Sequence, residues 1–212
     1  MDGSAGIRLE FADGRPELNT VDEINRCLEP IGVGVWPLDF RQVPPEVLQL
    51  LSNTSLTYEQ TETIQQQFLL PREQLLEAVR RAGRNPHVPD GGALSTYVVS
   101  HDYSYPQLYV ADEDGDYSRF DRFHVNVADD GTGTDEVLQM LAGGGLILHH
   151  PLPDGVVTWL HLDCVAEGMG WICTYDGARP HIGQLSQAIP GTKLLVQVIG
   201  AERWSMSYDL DA

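Results

Sequence analysis

The chain is short of positive charge and of thiols, and each shortage excludes something. Of its 212 residues, 13 are Lys or Arg against 31 Asp or Glu, a formal net charge of −18. A surface of that sign repels a polyphosphate backbone and releases no counterions on meeting one, which argues against a nucleic-acid partner. The three cysteines, Cys27, Cys164 and Cys173, are odd in number and lack CxxC spacing. They predict reduced, buried thiols in a cytoplasmic protein and carry no assigned role. No apolar run approaches the ~18 residues that span a bilayer, so no membrane partner is expected. The opening MDGSAGIRLEFADG has no basic region followed by an apolar core, so no secretory leader is expected either. Also missing are a GxSxG nucleophile elbow, a GxxxxGK[ST] phosphate loop and an HExxH zinc helix.

With 42% hydrophobic residues the chain can bury a sizeable core. Its first part reads as helical. VDEINRCLEP (21–30) spaces Val21, Ile24 and Leu28 along one helix face, with Thr20 and Glu23 as a capping box and Pro30 as a stop. PPEVLQLLSN (44–53) begins with prolines in first-turn positions. TYEQTETIQQQFLLPREQLLEAVRRAG (57–83) is a longer helical pattern that Pro71 should split near Leu70 and Gly83 should close.

RNPHVPDGG (84–92) is a breaker-rich connector. Beyond it, short runs of β-formers alternate with turn signals: LSTYVVS, PQLYVA, RFHVNVA, DEVLQMLA, LILHHPL, VVTWLHLDCVA, GWICTY and TKLLVQVIG. Strands so short and frequent predict an antiparallel sandwich or barrel. AGGGL (142–146) joins two of them as a hairpin. The acidic loops DEDGD and DDGTGTD lack the spacing of a calcium-binding hand and read as solvated. Trp36, Trp159, Trp171 and Trp204, with Phe120 and Phe123, read as core or pocket walls. The C-terminal SMSYDLDA reads as a tail.

Six of the seven histidines fall in the β-rich half. A neutral imidazole is the commonest metal ligand, so their positions matter. His124-x-Asn126 is followed after nine residues by Glu136 and after six more by Gly143. Gly170 is followed after five residues by Asp176-x-Ala178 and after two more by His181. These two segments resemble the cupin motifs G-x5-H-x-H-x3-4-E-x6-G and G-x5-P-x-G-x2-H-x3-N. The resemblance implies a mainly β fold: a double-stranded β-helix (cupin) barrel over 93–212, with an N-terminal α-helical extension over 1–92 packed on it. It also implies a metal held by His124, Glu136 and His181, with Asn126 where a second histidine is usual. The insert before Glu136 is longer than the family's.

A narrower resemblance runs through VDEINRCLEPIGVGVWPL, TDEVLQMLAGGG, RPHIGQ and TKLLVQVIGAERW, which are similar to parts of the acireductone dioxygenases. It implies Fe(II), or else Ni(II), Mn(II) or Zn(II), acting with O₂ on a small ene-diol or diketone. Glu136 and Asn126 then stand among the catalytic groups, Asn126 as a weak ligand or a hydrogen-bond donor to bound oxygen. Leu138 occupies the place of an arginine that would fix an anionic substrate. The alternatives are a cupin isomerase or hydrolase using a metal as Lewis acid, and a non-catalytic cupin binding a ligand or partner.

Other residues compete for the site. His161-Leu-Asp163 has the HxD spacing of facial-triad oxygenases, but an outward-facing pair opposite Leu160 and Leu162 is the simpler reading. Of His149 and His150, at most one can face inward. His87 and His101 read as solvated or capping. Gln139, His101 and His161 are the candidates to supply a missing ligand.

Overall fold

The structure is a computed structural model that describes residues 5–94, 97–98, 106–111, 122–165, 168–185 and 189–208. In chain order it runs β1 (Ile7–Phe11), α1 (Val21–Leu28), β2 (Gly34–Asp39), α2 (Pro45–Leu51), α3 (Tyr58–Phe68) and α4 (Arg72–Arg81). There follow β3 (Tyr97–Val98), β4 (Gln107–Val110), β5 (Val125–Val127), β6 (Thr134–Ala142), β7 (Leu146–Pro151) and β8 (Val157–Leu162). The chain ends with β9 (Met169–Asp176), β10 (Ile182–Gln184), β11 (Lys193–Gly200) and β12 (Arg203–Ser207).

The helices start and stop where local chemistry requires. The Thr20 hydroxyl accepts from the Glu23 amide at 3.4 Å and donates to the Glu23 carboxylate at 2.6 Å, capping α1. Thr57 and Gln60 close a full capping box on α3. Pro71 separates α3 from α4, and Gln197 of β11 takes up the freed backbone. Its amide accepts from Leu70 N at 2.9 Å and donates to Leu70 O at 3.0 Å.

The strands form a four-stranded sheet, β1-β8-β7-β10, and a five-stranded one, β2-β9-β6-β11-β4. A three-stranded sheet, β3-β12-β5, meets the first through a bridge between His124 and His181. This is the mainly β, cupin-type barrel with helices outside that the motifs implied. The inner faces pack Leu9, Leu138, Met140, Leu148, Leu160, Trp171 and Val196 into one core. Each such fully buried side chain contributes about 1.5–3 kcal/mol. Strands β6 and β11 are buried on both faces. Their outer residues Val137, Leu141, Leu195 and Ile199 pack against Ile64, Phe68, Leu75 and Val79 of α3 and α4.

Two segments read otherwise from sequence. Strands β1 and β2 lie in the stretch whose composition is helical, yet they pair with β8 and β9 and complete the two larger sheets. The compositional change near residue 92 marks where the helices end; the strands begin at Ile7. Ser205–Ser207, read as tail, instead pair with Val125–Val127. Among the described residues no helix is long and apolar enough to cross a membrane.

Candidate metal centre

Register and strand parity assemble the site. Ile182 pairs with His149, so the residues one step on, His181 and His150, are cross-strand neighbours. His124 bridges His181 from the other side. Alternation turns His124, His181 and His150 together into the barrel, where all three are buried. Across the interior, Glu136 of β6 pairs with Tyr175 of β9. Both side chains are buried and face the histidine row. Asn126, two residues beyond His124, is buried on the same side.

The contacts are specific. Asn126 Nδ2 donates to Glu136 Oε1 at 2.6 Å, and the Tyr175 hydroxyl donates to Glu136 Oε2 at 3.0 Å. His181 Nε2 stands 3.7 Å from Glu136 Oε1. The His124 and His181 rings lie 4.3 Å apart, and the Tyr175 ring lies 4.9 Å from His181 and 5.3 Å from His150. Gly177 makes this closeness feasible, because a Cβ there would come within 2.7 Å of Glu136 Oε1. Its carbonyl also accepts from Asn126 N at 2.6 Å.

Both candidate ligand histidines are oriented alike. His124 Nδ1 meets Arg122 O at 2.9 Å and His181 Nδ1 meets Arg179 O at 2.8 Å. A carbonyl only accepts, so each Nδ1 carries the proton and each Nε2 keeps its lone pair. Burial holds the His124 imidazole down at about 4, with the neighbouring His181 adding to the effect. Burial brings His181 to about 4, and burial together with the neighbouring His181, His149 and Arg179 takes His150 well below its ordinary value. Burial raises Glu136, against the opposing bond from Asn126. The imidazoles are therefore neutral at pH 7, as metal ligation requires.

The donor chemistry fits a divalent transition metal. Two Nε2 lone pairs and a carboxylate are present, and Asn126 Oδ1 is buried with no hydrogen-bond partner. As placed, no three His, Cys, Asp or Glu side chains among the described residues are close enough together to hold an ion. The Glu136 carboxylate faces its two donors instead. Each of its oxygens has two lone-pair sites, so one remains on each for a further partner.

The other sequence candidates lie elsewhere. Gln139 is an odd step from Glu136 and therefore on the outer face, where its amide donates to Phe68 O at 2.8 Å. His161 is also on an outer face, beside Arg8 and Glu10, and Asp163 accepts from Gly145 N at 2.8 Å. The HxD pair thus forms no site. His87 bonds Asp176 at 2.7 Å. His101 and the DEDGD loop lie outside the described residues. Burial raises the Cys164 and Cys173 thiols to about 12, which leaves them protonated and poor nucleophiles.

Two residues of the polar layer went unassigned by sequence reasoning, Tyr175 and His150. His150 Nε2 is buried without a partner. The doublet HisHis in a strand allows at most one of the pair to face inward, and the pairing shows that it is His150.

The layer shares a small, mainly apolar-walled cavity of about 50 Å³ with Leu138, Leu146, Leu185, Leu194, Val196 and Met206. A second pocket meets His150, Asp176 and Arg179.

No family model matches the chain, and no curated protein matches it. Among solved structures, it is similar to an acireductone dioxygenase from Bacillus anthracis with a cadmium ion in its active center. The likeness covers 92% of this chain and 93% of that one, at TM-score 0.60 and 15% identity. It establishes a shared fold over nearly the whole length.

Proposed function

We propose that this chain is a metal-dependent dioxygenase of the acireductone dioxygenase-like type, acting on a small ene-diol or diketone. The observation that carries the reading is that two neutral imidazoles, both with Nε2 free of the ring proton, and one carboxylate line a single buried pocket with mainly apolar walls. The similar fold of an acireductone dioxygenase with a cadmium ion in its active center supports it.

His124, His181 and Glu136 would hold the ion, with the Asn126 amide beside them in place of a third imidazole. Fe(II), Ni(II), Mn(II) or Zn(II) all suit nitrogen and carboxylate donors, and Fe(II) is favoured because it also suits O₂ chemistry. When bound, such an ion supplies Lewis acidity and open positions for adjacent substrate oxygens and O₂. The chain contributes the rest. Asn126 and Tyr175 orient the carboxylate through its two oxygens. Burial removes water, so each charge in the layer acts more strongly than in solvent. Leu138 and its apolar neighbours take up the carbon flank of the substrate. With leucine in place of an arginine, they select against a charged tail at that position.

Oxygen uptake by Fe(II)-loaded protein with small apolar ene-diols tests the proposal. Uptake is expected to be lost in Glu136→Ala. Uptake absent in the wild type across a panel of ene-diols and diketones, or undiminished in Glu136→Ala, would refute it.

A second reading, a barrel that binds a small ligand without metal, draws on the two hydrogen bonds that already occupy Glu136. It predicts no thermal shift with any of the four ions.

A further inference from the structure

The geometry points to Tyr175 as a positioning residue of this centre: with the Asn126 amide, its phenol clamps the two oxygens of Glu136 and fixes the carboxylate for metal binding. The inference rests on the reading that an ion binds there, and adds a residue which neither the motif spacing nor the structural likeness assigns.

The clamp follows from pairing. Glu136 and Tyr175 are directly opposed on β6 and β9, so both enter the interior at one level. Tyr175 is 5% exposed and its ring packs against the rings of both His150 and His181, which limits the freedom of the hydroxyl. That hydroxyl donates to Oε2 at 3.0 Å while Asn126 donates to Oε1 at 2.6 Å. Asn126 is itself anchored by its backbone amide to Gly177 O at 2.6 Å. Two donors from two strands define the carboxylate plane. They leave one lone-pair site on each oxygen, and Oε1 is the oxygen 3.7 Å from His181 Nε2. A cation drawn to His181 would therefore find the remaining lone-pair site of Oε1 within reach of a small side-chain shift. Partners of this kind commonly change metal affinity by about 10–100-fold when removed.

Co(II) is a suitable probe, because its visible absorption reports both binding and ligand geometry. Titration of wild type, Tyr175→Phe, Glu136→Gln and the double variant forms a thermodynamic cycle. Tyr175→Phe is expected to weaken Co(II) binding by about 10–100-fold and to alter the absorption band. In the Glu136→Gln background the same substitution should change affinity by less than about twofold, since the carboxylate it positions is gone. A loss of equal size in both backgrounds would show a merely structural effect and overturn the proposal, as would unchanged affinity and spectrum in Tyr175→Phe. Should Tyr175→Phe melt far below the wild type without metal, Tyr175→Leu is put through the same cycle under the same criteria. Absence of Co(II) binding by the wild type would instead overturn the metal reading itself.

Discussion

Strands β6 and β9 carry two polar constellations back to back, and the contrast between them separates structural from chemical polarity. Outward, Asp135 is ion-paired with Arg84 and accepts from His87 N at 2.8 Å, while Arg84 reaches Thr174 at 3.1 Å and Gly32 O at 2.7 Å. Asp176 holds His87 at 2.7 Å and Ala178 N at 2.9 Å. Each charge there meets its opposite, and the network ties the connector after α4 to the barrel. Inward, one residue along each strand, Glu136 and Tyr175 face neutral imidazoles. The layer there contains two buried atoms with no partner, Asn126 Oδ1 and His150 Nε2. An unsatisfied buried polar atom costs about 1–3 kcal/mol, and the outer face of β6 carries one as well, Gln139 Oε1.

Breaking the outer network should have the larger effect on stability. Asp135→Ala leaves the nearly buried Arg84 guanidinium without its counter-ion and is expected to cost about 3–5 kcal/mol, read by urea denaturation. Glu136→Gln in the metal-free protein should cost far less, because burial already disfavours the charge it removes.

The two faces should also respond oppositely to acid. His181 is depressed from 6.5 to about 4, so the unfolded chain binds a proton that the folded one refuses between those values. Stability of the metal-free protein then falls as pH drops through that window, by roughly 3 kcal/mol for this residue alone. His181→Gln should flatten the decline. His87 is raised above 6.5 by its bond to Asp176, with burial opposing. Its contribution is fully present below 6.5, as long as Asp176 stays ionised, and is lost as pH rises through the folded value. Denaturation of His87→Gln across pH should therefore differ most from the wild type in mild acid and converge with it at alkaline pH.

The smallest effect is expected at the exposed pairs of the other sheet. Glu10→Gln loosens the contacts to Arg8 and His161 and should change stability by about 1 kcal/mol or less at any pH. A larger change would mean that outer-face polarity is not uniformly structural.

Much of this was legible in the sequence where the signal is local. Thr20, Pro71 and Gly83 mark helix ends through local chemistry, and the structure has them there. His124, Glu136 and His181 were picked out by the resemblance to the cupin motifs, and spacing by itself placed only Asn126 on the same strand face as His124. Parity alone could also have excluded Gln139, an odd step from Glu136. What failed was non-local. IRLEF alternates as a strand should, but it stands beside turn-rich and helical segments, and its partner β8 lies about 150 residues away. Tyr175 and His150 belong to the polar layer only through the pairing of β9 with β6 and of β7 with β10, which no short stretch reveals.

The central claim is that the inner layer holds a divalent transition metal through His124, His181 and Glu136. Its most direct test is the metal content of protein purified without chelator, beside that of the His124→Ala, His181→Ala double variant. The account predicts about one ion per chain in the wild type and none in the folded variant. A wild type that carries no metal and takes up none from Fe(II), Ni(II), Mn(II) or Zn(II), or a double variant that keeps its ion, would contradict it.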